Sequence, residues 1–338
     1  MKAVAIKGVK ELEVKEIEEP VSDDNKVIIE VIRTGICGSD IHNWNAGNPV
    51  GLVLGHEFCG RVIDPGSRDD LKVGDRITAL PISPCNECEP CKSNNIQYCP
   101  KTWENALGLS LDNPGGLTSK IAIRPDMVIK LPDNVSDEEA AMVEPTAVGL
   151  HAVNLVDINE NSKVLVVGGG IIGLVSAMFA KLKGANYVAV SETNEARGKK
   201  AVELEVADEW FDVTKEETTA ELISKNFDIV IDCCGNTPAV NSAITCVKPG
   251  GTVILAGVSY EPINMMSILV VTHELTLKGS IAYTYDEFKE CIDLMSSKKI
   301  DVKKFVSDVV SLEEVQASYE RLTSGTDDAI KILVDPNK

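Results

Sequence analysis

KVLVVGGGIIGLVSAMFAKL, Lys163 to Leu182, decides the fold. KVLVV is a short apolar run with the look of a buried strand, and LVSAMFAKL reads as a helix. Between them, GGGIIG fits G-x-G-x-x-G with Gly168, Gly170 and Gly173, and with Ile171 and Ile172 as the intervening pair. The uncharged run Val164–Ala180 has 17 residues, the short limit for a membrane span, but its four glycines favour strand, turn and helix. A second strand, YVAV, ends at Ser191-Glu192, and Glu192 lies nineteen residues past the last glycine. An acid at that distance is expected to bind a ribose. The glycines let the backbone approach a pyrophosphate, and the helix N-terminus faces that anion. The whole unit therefore predicts a dinucleotide site.

Glu192 can accept from both ribose hydroxyls and would repel a 2′-phosphate, so NAD is expected over NADP. Arg197 could pair with such a phosphate, or could be a solvated helix residue near the adenine. Cys233 and Cys234 end a strand and are expected to line the cofactor cleft without reacting. Cys234, Val258 and Ser280 are further expected cofactor contacts.

Working outward, apolar stretches at 163–168, 187–191, 227–234, 250–257 and 275–280 alternate with helical ones. This predicts an α/β fold with a parallel, doubly wound sheet. Upstream the pattern is different. Short strands separated by turns at Gly8, Asp64-Pro65-Gly66 and Gly74-Asp75 predict a compact β barrel or sandwich. The change comes near residue 133, where Ser136 and Glu139 form a capping box that opens a helix. A helix over 286–297, a strand, a helix from Ser311 and a last strand in AIKILVD close the chain.

A length of 338 residues suggests two domains, and 44% hydrophobic residues suffice for a real core. The net charge of −19 argues against wrapping nucleic acid or lying on an anionic membrane. The first twenty residues alternate charged and apolar types and do not resemble a signal peptide. A cytoplasmic enzyme is expected.

Four of the ten cysteines, Cys85, Cys88, Cys91 and Cys99, fall in PCNECEPCKSNNIQYCP with spacing C-x2-C-x2-C-x7-C. Four thiolates in a polar loop that cannot bury a core of its own suit structural, tetrahedral zinc. An iron–sulfur cluster is the rival, but its usual last gap is three residues. Cys59, Cys246 and Cys291 read as core thiols.

VLGHEFCG, Val53 to Gly60, sets His56 beside Glu57. Gly60 stands where an HExxH helix would need its second histidine, so that motif is excluded. By themselves the two residues are either a core pair or part of a site completed elsewhere. Nineteen residues before His56 lies Cys37, in TGICGSDIHNWNAGN, with Ser39, Asp40 and His42.

Taken with the four-cysteine lobe, GGGIIG and EPTAVGLHA (Glu144–Ala152), these segments resemble the zinc-dependent medium-chain dehydrogenase/reductase family over essentially the whole chain. The likeness is greatest to its sorbitol and polyol branch, and extends to butanediol and sugar-alcohol-phosphate dehydrogenases. The resemblance implies a GroES-like catalytic domain over 1–148, carrying the structural-zinc lobe at 85–99. A Rossmann NAD-binding domain over 149–282 and a return to the catalytic domain over 283–338 would follow. It implies catalytic zinc at Cys37 and His56. Glu144 matches the third ligand, directly or through water, and Glu57 can also reach the metal, so the third place stays open between them. Ser39 matches the hydroxyl that takes the alcohol proton, His42 the residue that passes it to solvent, and Asp40 a supporting acid. Zinc and NAD are the implied cofactors, an alcohol or polyol the substrate, and a homodimer or homotetramer the assembly.

The expected reaction is reversible oxidation of a polyol or other secondary alcohol to a ketone. A sugar-alcohol phosphate, diol or hydroxy amino acid is the alternative substrate. A non-catalytic zinc- and dinucleotide-binding redox sensor is the alternative of another class. A zinc-free quinone reductase is opposed by Cys37, His56 and Glu144. GGLTSK, Gly115 to Lys120, departs from the family's pattern by a lysine in place of an acid; it reads as a surface lysine, or as a hint of an anionic substrate. His151 reads as packed near the cofactor and His273 as structural.

Overall fold

The computed structural model describes residues 1–338, which divide into two compact units. The first comprises Met1–Glu144, Tyr283–Gly325 and Lys331–Lys338; the second comprises Pro145–Ala282 and Thr326–Ile330.

The first unit opens with the hairpin β1 (Lys2–Gly8) and β2 (Glu11–Glu16). β3 (Val27–Gly35), β4 (Glu57–Asp64), β5 (Arg76–Ala79), β6 (Lys120–Ile123) and β7 (Val128–Lys130) follow. Helices α1 (Gly38–Ala46), α2 (Glu89–Lys92) and α3 (Asp137–Ala141) interrupt or end this run, and α4 (Val143–Asn154) leads out of it. The capping box on α3 is present, with Ser136 and Glu139 each accepting from the other's backbone N–H. α1 has no counterpart in the sequence reading. Its segment, GSDIHNWNA, has no apolar stripe, and only Asp40 and Trp44 are buried.

In the second unit, β8 (Lys163–Val167), β9 (Tyr187–Glu192), β10 (Glu209–Asp212), β11 (Phe227–Asp232), β12 (Val247–Leu255) and β13 (Thr276–Gly279) form one parallel sheet. Its order is β10-β9-β8-β11-β12-β13. α5 (Ile171–Leu182), α6 (Glu195–Glu203), α7 (Glu216–Ser224), α8 (Thr237–Cys246) and α9 (Ser267–Thr272) connect the strands. Five of the six strands coincide with the expected apolar stretches. The sixth, β10, is the four-residue edge strand EWFD, whose charged ends hide it from a hydrophobicity pattern.

The chain then returns to the first unit through α10 (Tyr285–Ser296), β14 (Val306–Val310), α11 (Val315–Thr323) and β15 (Lys331–Val334). The large sheet runs β14-β15-β3-β4-β5-β7, with β6 also on β3. β3 is thus the hub. It brings β4, which begins at Glu57, against β15, which begins at Lys331. Phe58, next to Glu57 on β4, is buried, and replacing such an aromatic by alanine costs about 3–5 kcal/mol. Gly35 is obligatory there, because a methyl group at its Cα would run into Glu57 Oε2.

Candidate metal centre and cofactor loop

Cys37 is the N-cap of α1. Its backbone N–H donates to Asp40 Oδ2 at 3.1 Å. The other oxygen, Asp40 Oδ1, lies 3.3 Å from His56 Nδ1, close enough for an ion pair but without the alignment of a hydrogen bond. A carboxylate behind one ring nitrogen leaves the other to ligate. His56 Nε2 is 3.3 Å from Ser39 Oγ, which is itself 3.3 Å from Cys37 Sγ. One potential ligand atom from each of Cys37, His56 and Glu57 lies within 4.8 Å of the other two.

The charges here suit a cation. Burial opposes a proton on His56, yet Asp40 and Cys37 outweigh it and hold the imidazole well above its ordinary pKa. Anions that stabilise a proton there would stabilise a divalent ion beside it. Glu144 is half-buried, and desolvation and Glu57 push its pKa up to about 7, against the pull of His56. It feels both residues electrostatically but lies outside the mutual 4.8 Å set. A thiolate, an imidazole and a carboxylate are a zinc-type donor set. His42 is exposed farther along α1.

Lys331 was not anticipated. It is 1% exposed, and its ammonium donates to Glu57 Oε2 at 2.5 Å and to the Ile36 carbonyl at 2.9 Å. Its one sequence signal was a lone lysine inside the apolar run AIKILV. Glu57 Oε1 remains buried with no hydrogen-bond partner.

In the lobe, all four sulfurs lie within 4.8 Å of one another, with Cys88–Cys91 at 3.5 Å and Cys85–Cys91 at 4.0 Å. Ions bound at ~2.3 Å to four tetrahedral sulfurs hold them roughly 3.8 Å apart, so these sulfurs fit one zinc. A multi-iron cluster would need wider spacing. Backbone N–H groups of Glu87 and Cys88 point at Cys85 Sγ, and those of Cys85 and Lys101 at Cys99 Sγ. Burial pushes the Cys99 thiol up, but these donors outweigh it and hold the pKa at about 6.

In the second unit, Gly168 has φ +106° and Gly170 is the N-cap of α5. A methyl group on Gly173 would strike the Gly168 carbonyl, so the helix approaches the loop as closely as its backbone allows. Ile171 and Ile172 form the first turn, half-buried. Glu192 ends β9, with Oε2 accepting from Gly169 N at 2.7 Å and Oε1 from Thr193 N and Asn194 N at 2.7 and 2.9 Å. A cavity of about 640 Å³ opens here, lined among others by Gly168, Glu192, Cys234 and Asn236. Arg197, Val258 and Ser280 are not part of its lining. Arg197 is half-buried in α6, Val258 is 48% exposed after β12, and Ser280 N donates to the Leu255 carbonyl. Cys234 is exposed at this cavity. Lys120 pairs with Glu19 at 2.6 Å, so its charge gives no support to an anionic substrate. No helix is long and apolar enough to cross a membrane.

Residues 23–133 match the alcohol dehydrogenase GroES-like domain, and residues 172–297 the zinc-binding dehydrogenase family. The chain is 33% identical over 328 residues to a probable D-xylulose reductase A from Aspergillus clavatus, covering 92% of this chain and 90% of the relative. The 2R,3R-butanediol dehydrogenase of Bacillus subtilis has the same fold, with TM-score 0.87, 27% identity and 99% of each chain covered. So does an NADP-bound putative zinc-binding dehydrogenase from Sinorhizobium meliloti, with TM-score 0.88, 28% identity and 99% of each chain covered. From its two matched domains, its metal-type clusters and its relatives, the chain belongs to the zinc-dependent medium-chain dehydrogenase family, in its polyol dehydrogenase branch.

Proposed function

We propose that this protein interconverts a polyol or other secondary alcohol and its ketone, with NAD as the hydride carrier. The observation that carries the reading is the convergence of Cys37, His56 and Glu57, with Ser39 Oγ 3.3 Å from both Cys37 Sγ and His56 Nε2. Cys37 and His56 would hold the catalytic zinc, with Glu57 or Glu144 as the third ligand; Cys85, Cys88, Cys91 and Cys99 would hold the structural zinc. The catalytic ion would supply Lewis acidity toward the substrate hydroxyl, and the nicotinamide would accept the hydride. Ser39 takes the hydroxyl proton and His42 passes it to solvent. Asp40 keeps the imidazole oriented. The GroES-like catalytic part and the NAD-binding part follow the boundaries 1–148, 149–282 and 283–338.

NAD is favoured because Glu192 puts a carboxylate beside the glycine loop, where a 2′-phosphate would be repelled. Ten free cysteines suit a reducing, cytoplasmic setting. The assembly is a homodimer or homotetramer. β13 is an edge strand, and Tyr260, Ile268 and Val271 nearby in sequence are 77%, 65% and 72% exposed. A second copy would cover them, and Val271→Asp should lower the mass seen by light scattering; an unchanged mass would count against this contact.

The functional test is an NAD-reduction screen over polyols, diols, sugar-alcohol phosphates and hydroxy acids, alongside zinc quantification. The reading expects two zincs per chain and turnover of at least one alcohol. Two zincs with no hydride transfer to any of them would favour a binding or sensing protein.

A further inference from the structure

Lys331 is the only buried lysine or arginine in the chain. It arrives on β15, 274 positions after Glu57, and β15 is fixed on β3 by Leu333 opposite Gly35 and by Ile36 N donating to the Ile332 carbonyl at 3.1 Å. Its ammonium therefore stands at a defined place. One of its contacts is the carbonyl of Ile36, the residue before Cys37; the other is the carboxylate of Glu57, the residue after His56. A single cation thus grips the chain next to both candidate metal ligands. Around it lie the acidic groups of Cys37, Glu57 and Glu144.

We propose that Lys331 is a positioning residue of the metal centre: it fixes Glu57 and the Ile36–Cys37 backbone at one separation, so that Cys37, His56 and the free Glu57 oxygen converge. This rests on the zinc reading above. Through Lys331 the C-terminal return strand becomes part of the catalytic site without touching substrate. Loss of the ammonium would leave a buried carboxylate unpaired next to His56, free to leave its place.

The test compares wild type, Lys331→Met and the double variant Glu57→Gln/Lys331→Met. Zinc per chain is measured after dialysis against graded chelator, together with the visible spectrum of the cobalt-substituted protein. Circular dichroism and a single cooperative melting transition report whether the whole chain is folded, and NADH fluorescence whether the dinucleotide unit is. Wild type should hold two zincs. Lys331→Met should bind NADH but release its second zinc at an at least tenfold lower chelator concentration, with altered cobalt bands. The double variant, with no unpaired charge, should retain zinc better than Lys331→Met yet keep an altered spectrum. Wild-type retention and spectrum in folded Lys331→Met would overturn the inference. If that variant fails to fold, the double variant is compared with Glu57→Gln alone: identical cobalt spectra and zinc retention overturn the inference, a further change supports it. A wild type holding only one zinc would instead overturn the catalytic-metal reading itself.

Discussion

Asp40 stands 3.3 Å behind His56, its second oxygen on the Cys37 N–H, so one buried carboxylate orients both candidate metal ligands. Supporting carboxylates of this kind typically change metal affinity 10–100-fold. Asp40→Asn should therefore weaken retention of one zinc by about that factor and leave the other in place. Chelator competition measures this; equal retention of both ions would show that Asp40 supports neither ligand.

The cysteines should fall into two reactivity classes. Cys85 and Cys99 are held low by backbone donors, whereas Cys88 is raised, and burial pushes Cys91 and Cys59 up to about 12 and Cys246 up to about 11. A thiol titration in chelator should find Cys85 and Cys99 reacting first. Cys59, Cys233, Cys246 and Cys291 should stay silent until denaturant is added. Prompt reaction of all ten without chelator would contradict the lobe as a metal site.

Glu192 accepts from three backbone N–H groups at the mouth of the glycine loop. Removing its charge should relax cofactor choice. Glu192→Ser is expected to raise the NADP-to-NAD ratio of kcat/KM by about tenfold, equivalent to about 1.4 kcal/mol. Steady-state kinetics with both cofactors decide this, and an unchanged ratio would assign selectivity elsewhere.

Much of this fold is legible in sequence because it is local. KVLVV, GGGIIG and the helix after them lie within twenty residues, and Ser136 and Glu139 cap α3 as their spacing predicts. β10 was missed because EWFD is too short and too charged to carry a period, and α1 because it buries only two side chains. The pairing of Glu57 with Lys331 was out of reach for another reason. Nothing local links two positions 274 apart, and a lone lysine in a strand ordinarily points to solvent. The sequence reading left Glu57 between ligand and bystander; the buried ammonium on one of its oxygens leaves only the other oxygen free.

Stability should decline in acid through identifiable carboxylates. Burial opposes the charge of Glu139, but the Ser136 N–H and Lys298 outweigh it and lower its pKa; Asp228 is likewise lowered, against its burial, by Lys248 and the Lys163 N–H. A carboxylate depressed in the folded state adds stability above its unfolded pKa and loses it as pH falls through the folded value. Through these two carboxylates, melting temperature should thus drop below about pH 4. Glu139→Gln should start lower at pH 7 and fall less steeply. An identical slope in both proteins would remove Glu139 from the account.

The return of β15 to β3 also orders the protein's birth. The coenzyme unit is almost all one continuous stretch, Pro145–Ala282, and its sheet can close while the ribosome is still making the rest. The catalytic unit begins first and finishes last, since the strand carrying Lys331 must come after the whole insertion. During synthesis the chain can therefore hold its dinucleotide fold before its metal centre is complete. A stalled or truncated product would bind cofactor but lack the assembled chemistry to spend it.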